Sequence, residues 1–294
     1  MNNSVLNILL WSISKLPFWV LYRVADIMYF LIYYIVGYRK KVVLKNLRNS
    51  FPNKSEDEIR LISKKFYKYF PDIIVESIKM FSISADQVIE RVELINLDEI
   101  EKHFNNGKSI IGVTAHYCNW ELAIHRMSFM TDRPKLIIYK PLNNKKFNET
   151  YNAVRTRFGA TMVPMKQILR HIVRLRHTPH MSMFVADQTP IYQDSDFFLE
   201  FLNQDTLVYT GVERIAKMTN NPVVYCHIGR KKKRGYYYCK FTTLVEDPSQ
   251  HETYEITRIH NKFTEDIINE TPQFWLWTHN RWKRQRRIKH EEVS

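Results

Sequence analysis

Glycine is scarce in this chain, seven residues in 294. Neither G-x-G-x-x-G nor G-x-x-x-x-G-K-[ST] occurs, which removes the two common glycine-built nucleotide loops. Cysteine is scarcer still. Cys118, Cys226 and Cys239 include no C-x-x-C pair, so they give neither a disulfide framework nor a zinc site. No H-E-x-x-H or paired Cys/His spacing occurs either, and no metal is expected. This cysteine usage fits a reducing compartment. Acid is in deficit, 30 Asp and Glu against 44 Lys and Arg, a formal charge of +14. Such an excess implies an acidic partner: nucleic acid, anionic lipid, an acidic carrier protein or a phosphorylated substrate. There is no internal repeat and no low-complexity linker. Hydrophobic residues make up 45%, enough for a sizeable core.

Those apolar residues concentrate first at residues 4–38. The segment lacks the basic start and small-residue cleavage site of a secretory signal. Lys15, Arg23 and Asp26 interrupt it, and Arg23 and Asp26 are spaced to pair on one helix. Trp11, Trp19 and the tyrosines suit a membrane interface. The pattern predicts a membrane-embedded or tilted pair of hydrophobic helices. The Arg39-Lys40-Lys41 block that follows marks the cytoplasmic side and attracts anionic headgroups. Residues 53–81 read as a long helix, with Ser55 as N-cap, Glu58 closing a capping box and Pro71 kinking or breaking it. That segment reads as packing.

From Val92 onward strands and helices alternate. Strands are expected at 92–95, 110–114, 135–139, 160–163, 181–186, 223–228 and 236–244. Helices are expected at 97–104, 120–127, 148–158, 167–177, 207–219 and 252–270. Alternation of this kind specifies an α/β fold, a mixed, mostly parallel central sheet flanked by helices. The expected division is 1–38 as an N-terminal hydrophobic helical membrane anchor, 39–90 as helices packing on the core, and 91–294 as the catalytic core.

The densest reactive cluster is the 109–127 stretch, SIIGVTAHYCNWELAIHRM. Ile110–Thr114 is a buried strand by composition. Asn119 is a natural N-cap and Glu121 a favourable first-turn acid. Five positions on an ideal helix would set His116 and Glu121 about 140° apart. His116 therefore belongs in the turn at the strand's carboxyl end, with Glu121 folding back, where open α/β sheets place ligands. An imidazole beside a carboxylate equips a site for general-base catalysis. Spacing alone is equally that of a plain helix start. Three further segments hold unusual polar groups: Tyr139–Asn143, Arg155–Gly159 and Ala186–Pro190. Arginines there suit phosphate or oxyanion stabilisation, and Asp187 the orienting of an arginine or a substrate hydroxyl. Basic residues at a helix end and a good turn account for them equally well. The aromatic run 196–201 reads as core or an acyl-chain groove, and residues 230–234 as a solvated hairpin turn. The Trp- and cation-rich 274–284 segment reads as a membrane surface or a single-stranded nucleic-acid site. The tail from Lys289 to Ser294 is expected to fray.

Taken in order, the YRKKVVLKNLRNSFP segment, HYCNWE, YKPLNN, RTRFG, ADQTP and PQFWLWTHNRWK resemble the lipid A late acyltransferase family. This is the Kdo2-lipid A lauroyl/myristoyl type within the lysophospholipid acyltransferase-like superfamily. The resemblance covers nearly the whole chain. It implies an O-acyltransferase that moves a fatty chain from an acyl-thioester, acyl-carrier protein or acyl-CoA, to a hydroxyl of a phosphorylated glycolipid. No other cofactor and no nucleic acid are implied, and the place is the cytoplasmic face of a bacterial inner membrane. The family's H-x₄-D/E pair makes His116 the base and Glu121 its orienting acid. Asn119, Arg155, Arg157, Asp187 and Gln188 become substrate-site residues. Where the family often has glycine, this chain has Cys118, which raises a thiol nucleophile as a rival. Same-fold enzymes acting on an amino-lipid, a mannolipid or a pigment precursor are the nearer alternative. A non-catalytic, basic membrane-surface or nucleic-acid-binding protein is the remote one.

Overall fold

A computed structural model describes residues 5–286; the tail from Lys289 lies outside the described residues. Helix α1 (Val5–Ser14) and α2 (Phe18–Phe30) are separated at Pro17, and α2 runs on as a π-helical stretch, Leu31–Val36. Phe18–Val36 is long and apolar enough to cross a membrane. One face packs on the protein through Leu21 and Ala25. Trp19, Ile27, Phe30, Ile35 and Val36 point away and are more than half exposed, a contiguous apolar surface of the kind that soluble monomers rarely show. Asp26 meets Arg234 at 2.9 Å, not Arg23. It lies on the side of α2 that faces the domain, where the guanidinium is already held by Asp72.

Helix α3 (Lys40–Ser50) docks on the C-terminal segment, Asn46 donating to the carbonyls of Trp277 and His279. Helix α4 (Glu56–Lys79) starts at the expected Ser55–Glu58 capping box. It is continuous through a buried Pro71. Burial along its length outweighs the roughly 3 kcal/mol an internal proline costs.

Helix α5 (Ala85–Arg91), β1 (Val92–Ile95), α6 (Asp98–Asn105), β2 (Ile110–Thr114), α7 (Trp120–Met127), β3 (Lys135–Tyr139), α8 (Lys145–Arg155) and β4 (Thr161–Pro164) follow. Then come α9 (Ile168–Arg174), β5 (Met181–Val185), the hairpin strands β6 (Phe198–Phe201) and β7 (Gln204–Leu207), and α10 (Gly211–Thr219). The described chain closes with β8 (Val223–Arg230), β9 (Tyr237–Val245) and α11 (Glu255–Glu270). Seven strands form one sheet in the order β1-β9-β8-β2-β5-β3-β4, parallel except for the β8–β9 pair. The mixed, mostly parallel sheet flanked by helices is the expected fold class.

Helix boundaries shift by up to four residues, and two of the shifted starts have a local cause. The helix expected from residue 207 starts at Gly211, because Gln204–Leu207 pairs with Phe198–Phe201 around Leu202 and Asn203. Both turn residues are left-handed, the type I′ geometry, here without its usual Asn-Gly signature. The helix expected from 148 begins at Lys145, where the Asn144 side chain accepts from the Phe147 N–H. Residues 230–234 are only in part a solvated turn, since Arg234 reaches Asp26 and Asp72.

Candidate active site

Strand β2 is IIGVT, buried throughout, as β-branched residues at the centre of a parallel sheet should be. It delivers the chain to the sheet's carboxyl edge at Ala115. His116 follows in the turn, and Asn119 caps α7, its Oδ1 accepting from the Leu122 N–H at 2.9 Å. The turn needs Cys118 in the left-handed region, φ +51°. That conformation favours glycine, which accounts for the family's usual residue there. The Cys118 thiol is fully buried, and burial pushes its pKa up. A buried thiol held protonated is a poor nucleophile, so the rival thiol mechanism has no structural support.

His116 Nδ1 lies 2.7 Å from Asp187 Oδ1. Asp187 follows β5, the parallel neighbour of β2. Its other oxygen accepts from Trp275 Nε1 at 2.7 Å. Burial acts to raise the Asp187 pKa, but the imidazole beside it and the hydrogen bonds from His116 and Trp275 together hold it at about 2. The Trp120 ring stands edge-on to the imidazole, centroids 4.9 Å apart. With Nδ1 committed to the carboxylate, Nε2 is the nitrogen left for chemistry.

The hydrogen-bond partner of the His116 ring among the described residues is Asp187, while Glu121, expected to orient it, acts on it through charge alone. Glu121 is buried, and its carboxylate is gripped by Arg155 in a two-pronged pair, with Trp120 Nε1 adding a bond at 3.0 Å. Burial acts against the charge, yet Arg155 holds the Glu121 pKa below the usual carboxylate range. The physical reason is direction: Glu121, in the first turn of α7, faces α8, which carries Arg155, while Asp187 reaches His116 from the adjacent strand. Arg155 also lies over the Tyr151 ring at 4.3 Å.

These groups share a cavity of about 270 Å³, lined by His116, Trp120, Tyr151, Arg155, Gln188 and Tyr209 among others. A second cavity of about 240 Å³ adjoins it. Ile138, Met165, Val185 and Tyr209 line both, and the second is walled mainly by Ile168, Leu169, Phe184, Val212 and Ile215.

Of the expected substrate-site residues, Arg155 and Gln188 line the first cavity, and Asp187 stands behind His116. Two others are placed elsewhere. Asn119 is buried, and both ends of its amide are used: the cap, and a bond from Nδ2 to Glu76 at 2.5 Å. Arg157 donates to the carbonyls of Met80 and Ile83, where it fastens the end of α4. Among the described residues no group of three or more His, Cys, Asp and Glu is placed to hold a metal ion.

Sequence reasoning misread the 274–284 segment. Trp275 and Trp277 are buried. Leu276 N–H donates to the His116 carbonyl and Cys118 N–H to that of Phe274. The segment is the back wall of the turn that carries His116. The aromatic run 196–201 is likewise packed in, with Phe201 buried and Phe197 stacked on Tyr254 at 4.0 Å.

A profile described as bacterial lipid A biosynthesis acyltransferase matches residues 2–284. The chain is 23% identical over 275 residues to the lipid A biosynthesis lauroyltransferase of Escherichia coli (strain K12), covering 93% of this chain and 89% of that one. To that organism's palmitoleoyltransferase it is 22% identical, over 83% and 79% of the two chains. To its myristoyltransferase it is 20% identical, over 81% and 73%. Matched from end to end, with an imidazole and a paired acid at the carboxyl edge of its sheet, the chain belongs to the bacterial lipid A biosynthesis acyltransferase family.

Proposed function

We propose that the protein transfers a fatty acyl chain from an acyl-thioester, carried by acyl-carrier protein, to a hydroxyl of a lipid A precursor, at the cytoplasmic face of a bacterial inner membrane. The observation that carries the reading is the 2.7 Å contact between His116 Nδ1 and Asp187 at the wall of a cavity that Arg155 shares. Asp187 keeps the proton on Nδ1 and stabilises the imidazolium, so Nε2 takes the proton of the acceptor hydroxyl. The alkoxide attacks the thioester carbonyl. The oxyanion that forms is stabilised by the Arg155 guanidinium, which Glu121 holds in place. Collapse expels the thiolate, which leaves readily and takes up the proton from Nε2. The adjoining apolar cavity takes the acyl chain. The +14 charge favours both an acidic carrier and a phosphorylated glycolipid. The exposed apolar face of Phe18–Val36 supports a position among lipid acceptors, and the basic Arg39–Lys41 block supports the cytoplasmic side.

The test is transfer by the purified chain from an acyl-carrier-protein thioester to a lipid A precursor. An amino-lipid and a mannolipid are offered in parallel, and products are read by mass spectrometry. Acylation of the lipid A precursor that His116→Gln abolishes while the fold is kept is the expected result. Product formed as fast without the imidazole, or only on the other acceptors, removes the proposal.

A further inference from the structure

Behind the Phe274–Trp277 wall lies a second polar hollow that acyl transfer does not use. It measures about 410 Å³ and is lined by Lys65, Lys68, Asp72, Arg230, Arg234 and Gln273 with two aromatic rings. Four of those side chains are cations and one is an acid. Asp72 is buried and engaged by Arg234, which also meets Asp26, so the charge of Arg234 is already answered. Lys65 and Lys68 form no ion pair among the described residues, and Arg230 acts on Asp72 through its charge without an ion-pair contact. Arg230 stands over the Tyr69 and Phe274 rings at 5.5 and 5.9 Å, and its Nε is buried without a partner. Four cations share one hollow with the single acid Asp72, so positive charge stays in excess there, and an entering anion relieves the repulsion. A planar guanidinium held against rings beside two ammonium groups suits a phosphate's oxygens.

The hollow's position narrows the source. β8 is the parallel neighbour of β2, so Arg230 and His116 leave the same edge of the sheet. With strands about 4.8 Å apart, the two lie on the order of 10 Å from each other. Arg234 ties the hollow to α2 through Asp26, so it opens beside the apolar helix. We propose that this hollow binds a phosphate carried by a membrane lipid, separately from the acyl-transfer cavity. The inference rests on the function proposed above only where that lipid is the acceptor itself.

The test uses the full chain in detergent, with a Lys65→Gln, Lys68→Gln double variant and, separately, Arg230→Gln. Both lysines are exposed on α4, so the double variant keeps the fold and decides the matter if Arg230→Gln does not. Calorimetric titration with short-chain phosphatidic acid, against a short-chain diacylglycerol blank, needs no turnover and stands even if the acyltransferase reading fails. The expected result is binding by the parent and affinity weakened about 10- to 100-fold in the variants, the worth of a lost charge-assisted hydrogen bond. A second arm compares acylation of a phosphorylated acceptor with its dephosphorylated form. If the acceptor supplies the phosphate, the variants raise KM for the phosphorylated form alone and leave kcat unchanged. If a bulk lipid supplies it, both KM values hold while phosphatidic acid binding falls. Phosphatidic acid bound equally by parent and variants, or no more tightly than the diacylglycerol, overturns the inference.

Discussion

Asp187→Asn tests which carboxylate serves the imidazole. Asp187 accepts two hydrogen bonds of 2.7 Å, from His116 Nδ1 and from Trp275 Nε1. An amide has one acceptor atom and one donor group. If its oxygen faces His116, its NH₂ opposes the Trp275 N–H, and one buried donor is left unpaired. If it flips to satisfy Trp275, its NH₂ faces Nδ1, and the ring proton moves to Nε2, the nitrogen that must act as base. The second arrangement satisfies both neighbours and should prevail. A base in the wrong tautomer loses about 10⁴-fold in kcat in the analogous substitution of a serine-protease triad, equivalent to about 5 kcal/mol of barrier. The thermal midpoint should move little, because removing a buried charge partly offsets the lost charge-assisted bonds, each worth about 1.5–3 kcal/mol. The assays are single-turnover transfer and the ¹⁵N shifts of the His116 ring. The wild type should show a protonated Nδ1, and Asp187→Asn a protonated Nε2. Asp187 is held at about 2, below its unfolded value near 3.9. Its contribution to stability is therefore present above about pH 3.9 and lost as pH falls through about 2, so it puts no limb into a pH–rate profile near neutrality. Turnover within about tenfold of wild type, or an unchanged tautomer, refutes the assignment and returns the orienting role to Glu121.

Glu121→Gln leaves the partly buried Arg155 guanidinium without its anion, so it should cost up to about 3 kcal/mol in denaturant unfolding while the His116 ring keeps its tautomer by NMR. Cys118→Ala should retain transfer, because the proposed mechanism gives the buried thiol no chemical role. Cys118→Gly should change stability by no more than about 1 kcal/mol, the relief of a left-handed residue offsetting the lost side chain, as read from chemical denaturation. His125 is fully buried with neither ring nitrogen partnered. Burial chiefly, with Arg157 and Arg155 also acting against the charge and Glu121 for it, lowers its pKa to about 4. Its contribution is thus present above pH 6.5 and lost as pH falls from 6.5 to about 4, at most about 3 kcal/mol; His125→Leu should raise the thermal midpoint and flatten stability across that window. Ile27, at the middle of Phe18–Val36 and facing outward, should tolerate Lys in the fold but cost about 3 kcal/mol of membrane insertion, visible as release on carbonate extraction.

Composition and periodicity made most of the fold legible because the strands are short, β-branched and buried on both faces, and because Ser55 and Asn119 cap in the ordinary way. The β6–β7 hairpin was hidden because Leu-Asn turns where Asn-Gly would announce it. At the site, His116, Glu121, Arg155 and Asp187 could all be picked out as candidates, but which of them touch each other could not. A one-dimensional spacing of five links His116 with Glu121. The acid that touches the imidazole comes from a strand adjacent in the sheet and 71 positions away in sequence, and only the strand order reveals that. Trp275 was obscured for a different reason. Tryptophans interleaved with cations have the composition of a membrane surface, whereas here the indoles fill the core and one N–H reaches Asp187.

The hydrogen bonds of Asn119 show how the apolar N-terminal helix and the candidate site are joined. Glu76 of α4 is buried, and burial raises its pKa. Its Oε1 accepts from Tyr22 of α2 at 2.8 Å, and its Oε2 from Asn119 at 2.5 Å and Tyr237 of β9 at 2.7 Å. One carboxylate therefore fastens the apolar helix, the turn that carries His116 and strand β9 of the sheet. Asn119 adds the second link, since the side chain that reaches Glu76 also caps α7 and so fixes where Glu121 points. Such a network rewards completeness, because a partly satisfied buried carboxylate costs more than the bonds it keeps. If it holds the turn as the bonds imply, Tyr22→Phe, remote from the cavity and altering a single hydroxyl, should lower kcat without touching any group that meets substrate. Asn119→Ala, which breaks the cap and the link together, should lower it further. A Tyr22→Phe enzyme with unaltered kcat in bilayers would show that the helix is a tether alone and that the catalytic turn is held by the C-terminal wall.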